Sequence, residues 1–221
     1  MKRSFKRRLK ERQKPKTATT RDAILRAAVR ILARDGFPAL SARSVAQEAG
    51  TNLALLNYHF GSKQRLLLAI YDVLDADRLE RQQRLYADAA APLSVKWRRA
   101  VEYYRADLAD GYIRVLKELS AHGYSNAVIG RRVRDRMRGW LQLLEGVARV
   151  ELPKLGLDIE PELAVSALGS FWQGMDERIL LGESEAQGRF FAILDQVGDW
   201  IERQERRAKM GGRKHARARA S

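Results

Sequence analysis

From position 24 the apolar residues fall at helical intervals. Ile24, Ala27, Ala28, Ile31 and Leu32 recur three and four apart behind Thr19 or Thr20, and the run stops at Gly36 with Pro38 just beyond. This spacing predicts a first helix with a threonine N-cap. A second, shorter helix opens at Ser41, turns Val45, Ala46 and Ala49 inward and closes on Gly50, a residue suited to a left-handed C-terminal turn. A third begins at about Leu53 and ends near Phe60; Leu56 and Phe60 share its inner side, and Ala54 is small enough for neighbouring helices to approach closely. Two short helices joined by a glycine-containing turn, with a new cap at Ser62 directly behind, have the layout of a helix-turn-helix.

Beyond Ser62 the pattern predicts a long helix, apolar at Leu66, Leu67, Ile70, Val73, Leu74 and Leu85, running until Pro92 interrupts it. Four or five further amphipathic helices follow, separated at Pro92, Gly111, Gly123 to Gly130, Pro153 to Pro161 and Gly182 to Gly188. No alternating strand pattern occurs. The predicted fold is all-α: an N-terminal three-helix helix-turn-helix domain, then a larger helical bundle. Two late segments, 162–182 and 187–203, are apolar on more than one face, through Leu163, Val165, Leu168, Phe171, Trp172, Met175 and Ile179, then Phe190, Phe191, Ile193, Leu194, Val197, Trp200 and Ile201. A helix apolar over so wide an arc needs two neighbours, which burial inside the subunit or a second copy can supply.

Composition narrows the chemistry. The 221 residues contain no Cys, and the three His, at 59, 122 and 215, stand too far apart to suggest a metal cluster, so no cofactor is expected. No run of about 18 apolar residues exists to cross a bilayer, and the basic start lacks a secretory apolar stretch, so no membrane association and a cytoplasmic location are expected. The phosphate-cradling and nucleophile-elbow motifs are absent and no acid/base pair stands out, so catalysis is not expected.

The net charge of +15 becomes informative once located. Residues 1–21 hold ten Lys/Arg against one Glu, residues 203–221 hold eight against one, and the segment between is close to neutral. The expected organisation is therefore a basic flexible arm (1–20), a helix-turn-helix domain (21–66), a helical domain (67–205) and a basic flexible tail (206–221). Basic tails on a neutral body suit a polyanion, and nucleic acid fits because Lys and Arg gain by releasing counterions from phosphates. On the third helix, Asn52, Leu53, Asn57 and Leu55 lie toward its start or open side, where a carboxamide can pair with adenine and a leucine can touch a thymine methyl. Tyr58, His59 and Lys63 point to a rim suited to phosphates, while Ser41 and Arg43 stand at the start of the second helix; ordinary packing of half-buried aromatic residues is the plainer account of Tyr58 and His59.

The stretch Ala46-x-x-Ala49-Gly50-Thr51-Asn52-x-x-x-Leu56-Asn57-Tyr58-His59-Phe60-x-Ser62-Lys63-x-x-Leu66-Leu67 closely resembles the DNA-binding signature of the tetracycline-repressor (TetR) family, with Asn57 standing where many members carry Tyr. The resemblance covers roughly residues 20 to 75. It implies a ligand-responsive transcriptional regulator, a repressor, that binds double-stranded operator DNA of palindromic form as a homodimer and is released by a small-molecule effector held in the C-terminal domain. By position it implies a base-facing set of Arg43, Leu53, Ala54, Leu55 and Asn57 and a backbone-facing set of Ser41, Tyr58, His59 and Lys63. It also implies that the long helix is a lever between domains and that the last two long helices form a four-helix bundle across the dimer axis.

For the effector, aromatic residues with polar tips offer a candidate pocket composition: Trp97, Tyr104, Tyr112, His122, Trp140, Phe171, Trp172 and Met175, each equally compatible with a packed core. The alternative to a specific regulator is a non-specific architectural DNA-binding protein that relies on its tails; such a protein would lose nearly all affinity without them.

Overall fold

The computed structural model describes residues 19–218, and of their side chains those of residues 19–208 and Met210. The expected basic arm lies outside the described residues except for Thr19 and Thr20. Nine α-helices account for most of the described residues: α1 (Thr20–Asp35), α2 (Ala42–Glu48), α3 (Leu53–Phe60), α4 (Lys63–Ala87), α5 (Leu93–Ala109), α6 (Tyr112–Ser125), α7 (Ala127–Lys154), α8 (Pro161–Leu180) and α9 (Ala186–Ala218). The fold is all-α, as the periodicity predicts.

The described residues gather into two compact units. One holds the residues up to Leu79 together with Tyr104–Arg136; the other holds Glu80–Tyr103 together with the residues from Met137 onward. The first is thus larger than the 21–66 domain expected from the sequence, because α6 packs on α1 and brings the start of α7 with it.

In the first unit each helix starts and stops for a local reason. Thr19 caps α1 in a capping box: its hydroxyl accepts from the Asp22 amide at 3.3 Å and donates to the Asp22 carboxylate at 2.9 Å. Ile24, Ala27, Ala28, Ile31 and Leu32 are buried along one stripe, and Gly36, at φ 76°, ends the helix. Ser41 caps α2, whose Val45 and Ala46 are buried. The α2–α3 turn is a full Schellman motif: the Thr51 amide reaches the Ala46 carbonyl at 2.9 Å and the Gly50 amide reaches that of Gln47 at 3.1 Å, with Gly50 at φ 66°. Asn52 then caps α3, and Gly61, at φ 67°, stops it by donating to the Asn57 carbonyl at 2.7 Å. Ser62 starts α4 at once, accepting from the Arg65 amide at 3.2 Å.

Three attachments hold α6 and α7 to α4 and to the segment between α1 and α2. The fully buried Tyr112 hydroxyl donates to the Leu74 carbonyl of α4 at 2.5 Å. The His122 ring lies 3.9 Å from that of Phe37, centroid to centroid. Gln64 donates to Asn126 Oδ1 at 3.1 Å, the same oxygen that caps α7. The two helices cross with almost no space between them: a Cβ built on Gly130 would lie 2.7 Å from the Gly123 carbonyl oxygen.

In the second unit α5 runs beside α9. Trp97 donates its indole N–H to the Leu194 carbonyl at 2.8 Å, Ser94 donates to Glu205 at 2.6 Å, and Arg98 bridges Asp199 and Glu202. Phe190, fully buried on α9, gathers Phe171 and Trp172 of α8, and Trp97 meets Trp172 edge to face. Where the sequence points to a tail from 206, α9 continues to Ala218. Its first extra turn is held by an ion pair from Arg206 back to Glu202, four residues earlier, and Ala, Arg and Lys are strong helix formers.

Candidate nucleic-acid interface

Helix α3 has one buried side and one open side, and the division follows from two apolar anchors. Leu56 and Phe60 are 3% and 4% exposed, so the residues between them on the far side are forced outward. Leu53 and Leu55 are each 42% exposed and Tyr58 is 83% exposed; Ala54 and Asn57 are exposed as well. Large apolar side chains left in solvent along one short helix mark an interaction surface more than a folding requirement.

The ten residues proposed from the sequence are placed as follows. Arg43 is exposed on the first turn of α2 and makes no ion pair among the described residues. Ser41 is exposed, but its hydroxyl is already engaged as the α2 cap, accepting from the Ser44 amide at 3.0 Å. Asn52 is likewise committed: its carboxamide oxygen accepts from the Leu55 amide at 2.9 Å, leaving only its NH₂ group outward. Leu53, Ala54, Leu55 and Asn57 share the open face, and the Asn57 carboxamide has no hydrogen-bond partner among the described residues. Tyr58 meets His59 edge to face with centroids 5.3 Å apart, and the half-buried His59 also touches the Phe60 ring. The Lys63 ammonium sits 4.6 Å above the Phe37 ring, which steadies it at the start of α4 by a cation–π contact.

Some supporting residues could not be found from the motif. Phe37 cradles Lys63, and Arg21 of α1 lies over Phe60 with its guanidinium carbon 5.3 Å from the ring centroid. Glu48, at the end of α2, receives Arg30 at 2.8 Å and Arg34 at 3.4 Å; the Arg30 hydrogen bond holds its carboxyl below the ordinary carboxylate range. These pairs are solvent-exposed and orient α2 on α1 more than they stabilise it. Arg43, by contrast, has no such partner among the described residues.

The eight aromatic and methionine positions of the candidate pocket separate. Tyr104, Tyr112 and His122 belong to the first unit, and Trp97, Trp140, Phe171, Trp172 and Met175 to the second. Phe171 and Trp172 meet Phe190, and Trp97 joins them through Trp172, whereas Trp140 donates its indole N–H to Gln82 at 2.6 Å. Tyr112 and His122 are held by Leu74 and Phe37, as described above.

Residues 24–70 match the family model of the bacterial regulatory proteins, tetR family. A stretch of 73 residues is 32% identical to the HTH-type transcriptional repressor NicS of Pseudomonas putida; it spans 33% of this chain and 34% of that repressor's length. Solved structures share the fold over most of the chain. The transcriptional regulator FadR of Bacillus subtilis, in complex with stearoyl-CoA, superposes with a TM-score of 0.65 at 17% identity, covering 81% of this chain and 96% of FadR. A regulator from Saccharomonospora viridis in complex with choline gives 0.66 at 23% identity over 82% and 93%. A TetR transcriptional regulator from Legionella pneumophila gives 0.67 at 17% identity over 86% and 98%. The family model thus falls on α1 to α4, and the fold of these regulators is shared over 81% to 86% of the chain.

Proposed function

We propose that this protein is a transcriptional repressor that binds a palindromic operator as a homodimer and leaves it when a small molecule binds. The observation that carries this reading is the open face of α3, where Leu53, Leu55 and Tyr58 stand exposed beside Asn57 on a rigid helix-turn-helix. Such a helix fits the major groove, with its early residues at base edges and the residues around it on phosphates. In this arrangement Arg43, Leu53, Ala54, Leu55 and Asn57 face bases, Tyr58, His59 and Lys63 face the backbone, and Ser41 and Asn52 contribute chiefly by fixing the starts of α2 and α3.

The homodimer is supported by α8 and α9. Leu163 and Ile193 are 66% and 42% exposed, and a shallow groove of about 380 Å³ on α9 is lined by Ile193, Gln196, Val197, Asp199, Trp200 and Arg203. Gly174 and Gly188 leave open space beside those helices, which favours close approach by a second copy. Two copies related by a two-fold axis would present two α3 helices to half-sites one helical turn or more apart. An effector is supported by the relatives in this fold solved with stearoyl-CoA and with choline. Coupling between effector and operator of the usual size, about 1 to 3 kcal/mol, is enough to empty an operator held near threshold.

The test is a selection of bound fragments from random DNA, repeated with a metabolite panel, alongside size-exclusion chromatography with light scattering. An enriched inverted repeat, a dimer at micromolar concentration and one compound that abolishes enrichment are expected. A strict monomer, or enrichment of no sequence, would refute the reading.

A further inference from the structure

The open face of α3 carries a second message, which rests on the regulator reading and concerns what the operator must look like. The helix runs Leu53-Ala54-Leu55-Leu56-Asn57-Tyr58-His59-Phe60 and contains no Lys, Arg, Asp or Glu. Major-groove recognition of G·C pairs draws on those four: Arg or Lys to guanine O6 and N7, Asp or Glu to the cytosine amino group. None is available on this helix.

What the helix offers is apolar contact at three successive positions. Leu53 and Leu55 are 42% exposed each, on either side of the exposed Ala54. The one major-groove feature such side chains can recognise is the thymine C5-methyl, which cytosine lacks. One turn further on, Asn57 presents a carboxamide with no partner among the described residues, and a free carboxamide is suited to the N6 and N7 edge of adenine. Asn52 cannot duplicate that bidentate contact, because its oxygen is held by the Leu55 amide at 2.9 Å. Methyl and adenine recognition both call for A·T pairs.

We propose that Leu53, Ala54 and Leu55 read thymine methyl groups and Asn57 reads an adjacent adenine, so that the half-site under α3 is a run of A·T pairs. Any guanine contact is left to Arg43, at the edge of that run.

The experiment takes the full-length protein and the site enriched by selection, and replaces each half-site thymine in turn with deoxyuridine, which removes only the methyl. Substitution at thymines under α3 should weaken binding about fourfold per methyl, the effect of uncovering one such apolar group. Leu53→Ala and Leu55→Ala, checked for native helix content and melting, should each become insensitive to one of those replacements while retaining sensitivity to the rest. Asn57→Ala should lose its preference at a single A·T pair. If a sequence is enriched but every deoxyuridine site binds as tightly as the thymine site, the methyl-reading proposal is overturned and the regulator reading stands. If the enriched half-site is G·C throughout its centre, the proposal is likewise overturned. If no sequence is enriched at all, both fall together.

Discussion

Helix α7 contains three glycines whose replacement by alanine should act in opposite directions, and the pair Gly130 and Gly146 separates packing from backbone preference. A Cβ at Gly130 would meet the Gly123 carbonyl oxygen at 2.7 Å, and a Cβ at Gly123 would meet the Gly130 Cα at 3.0 Å. Both neighbours are backbone, so no side chain can swing aside; α6 and α7 must move apart. Forcing an extra carbon into a full contact costs about 1 to 3 kcal/mol, while replacing a mid-helix glycine by alanine returns about 1 kcal/mol. Gly130→Ala should therefore be destabilising by up to about 2 kcal/mol. Gly146 has nothing within 4 Å of its built Cβ, so Gly146→Ala keeps only the gain and should stabilise by about 0.5 to 1 kcal/mol. The assay is urea denaturation at one fixed protomer concentration, since the proposed dimer would make stability depend on it. The α6–α7 crossing also carries His122 on Phe37 and Asn126 on Gln64, so Gly130→Ala should weaken DNA binding more than Gly146→Ala does. Equal shifts of the two denaturation midpoints in the same direction would refute the packing argument.

Three other perturbations test separate parts of the structure. Tyr112→Phe removes the hydroxyl that donates to the Leu74 carbonyl and should cost about 0.5 to 1.5 kcal/mol by denaturation; no change would mean that this hydrogen bond holds nothing together. Lys63→Ala should weaken binding to all DNA sequences alike and lower the log–log salt slope by about 0.9 for each phosphate that is no longer neutralised, whereas a selective effect at one base pair would contradict its placement on the backbone. Asp75, buried on α4, has its carboxyl pushed above the ordinary range by that burial, with Arg78 and Arg136 opposing the rise. A raised folded-state value means that its contribution to stability is complete below the unfolded value of about 4 and is lost as pH rises through the folded value. The stability of Asp75→Asn relative to the native chain should therefore increase from pH about 4 toward neutrality, and a relative stability that is flat or falls over that range would show the sign to be wrong.

The parts legible in the sequence are those governed by neighbours within one turn. The Thr19, Ser41 and Ser62 caps, the glycines at 36 and 50, and the burial of Leu56 with Phe60 all follow from local hydrogen bonding, positive φ or helical period, whereas Asn52, read from the sequence as facing bases, turns out to cap α3. The pocket residues are not legible in this way. Tyr112 is fixed by a carbonyl 38 positions away and Trp97 by one 97 positions away, and no spacing rule carries across such separations. Composition shows that aromatic residues are plentiful in the C-terminal part, but not that Phe190 collects three of them or that Phe37 takes His122. The attachment of α6 to α4 and Phe37 is hidden for the same reason: its signals are single contacts from Tyr112, His122 and Asn126, each ordinary on its own.

The open face of α3 belongs between these cases. Its position is local information, since anchoring Leu56 and Phe60 decides which side chains point away. Its composition is the informative part. A chain with net charge +15 could have placed Lys or Arg there, yet the eight residues of α3 carry neither. A charged face would bind any duplex through its phosphates and discriminate little. On the proposed reading, an uncharged face with two half-exposed leucines would gain little from phosphates and would obtain its affinity from base edges. Exposed leucines also carry a liability for the free protein, because apolar surface in water favours association. The arrangement is consistent with a division of labour in which Arg43, Lys63 and the basic residues outside α3 supply attraction, and α3 supplies choice.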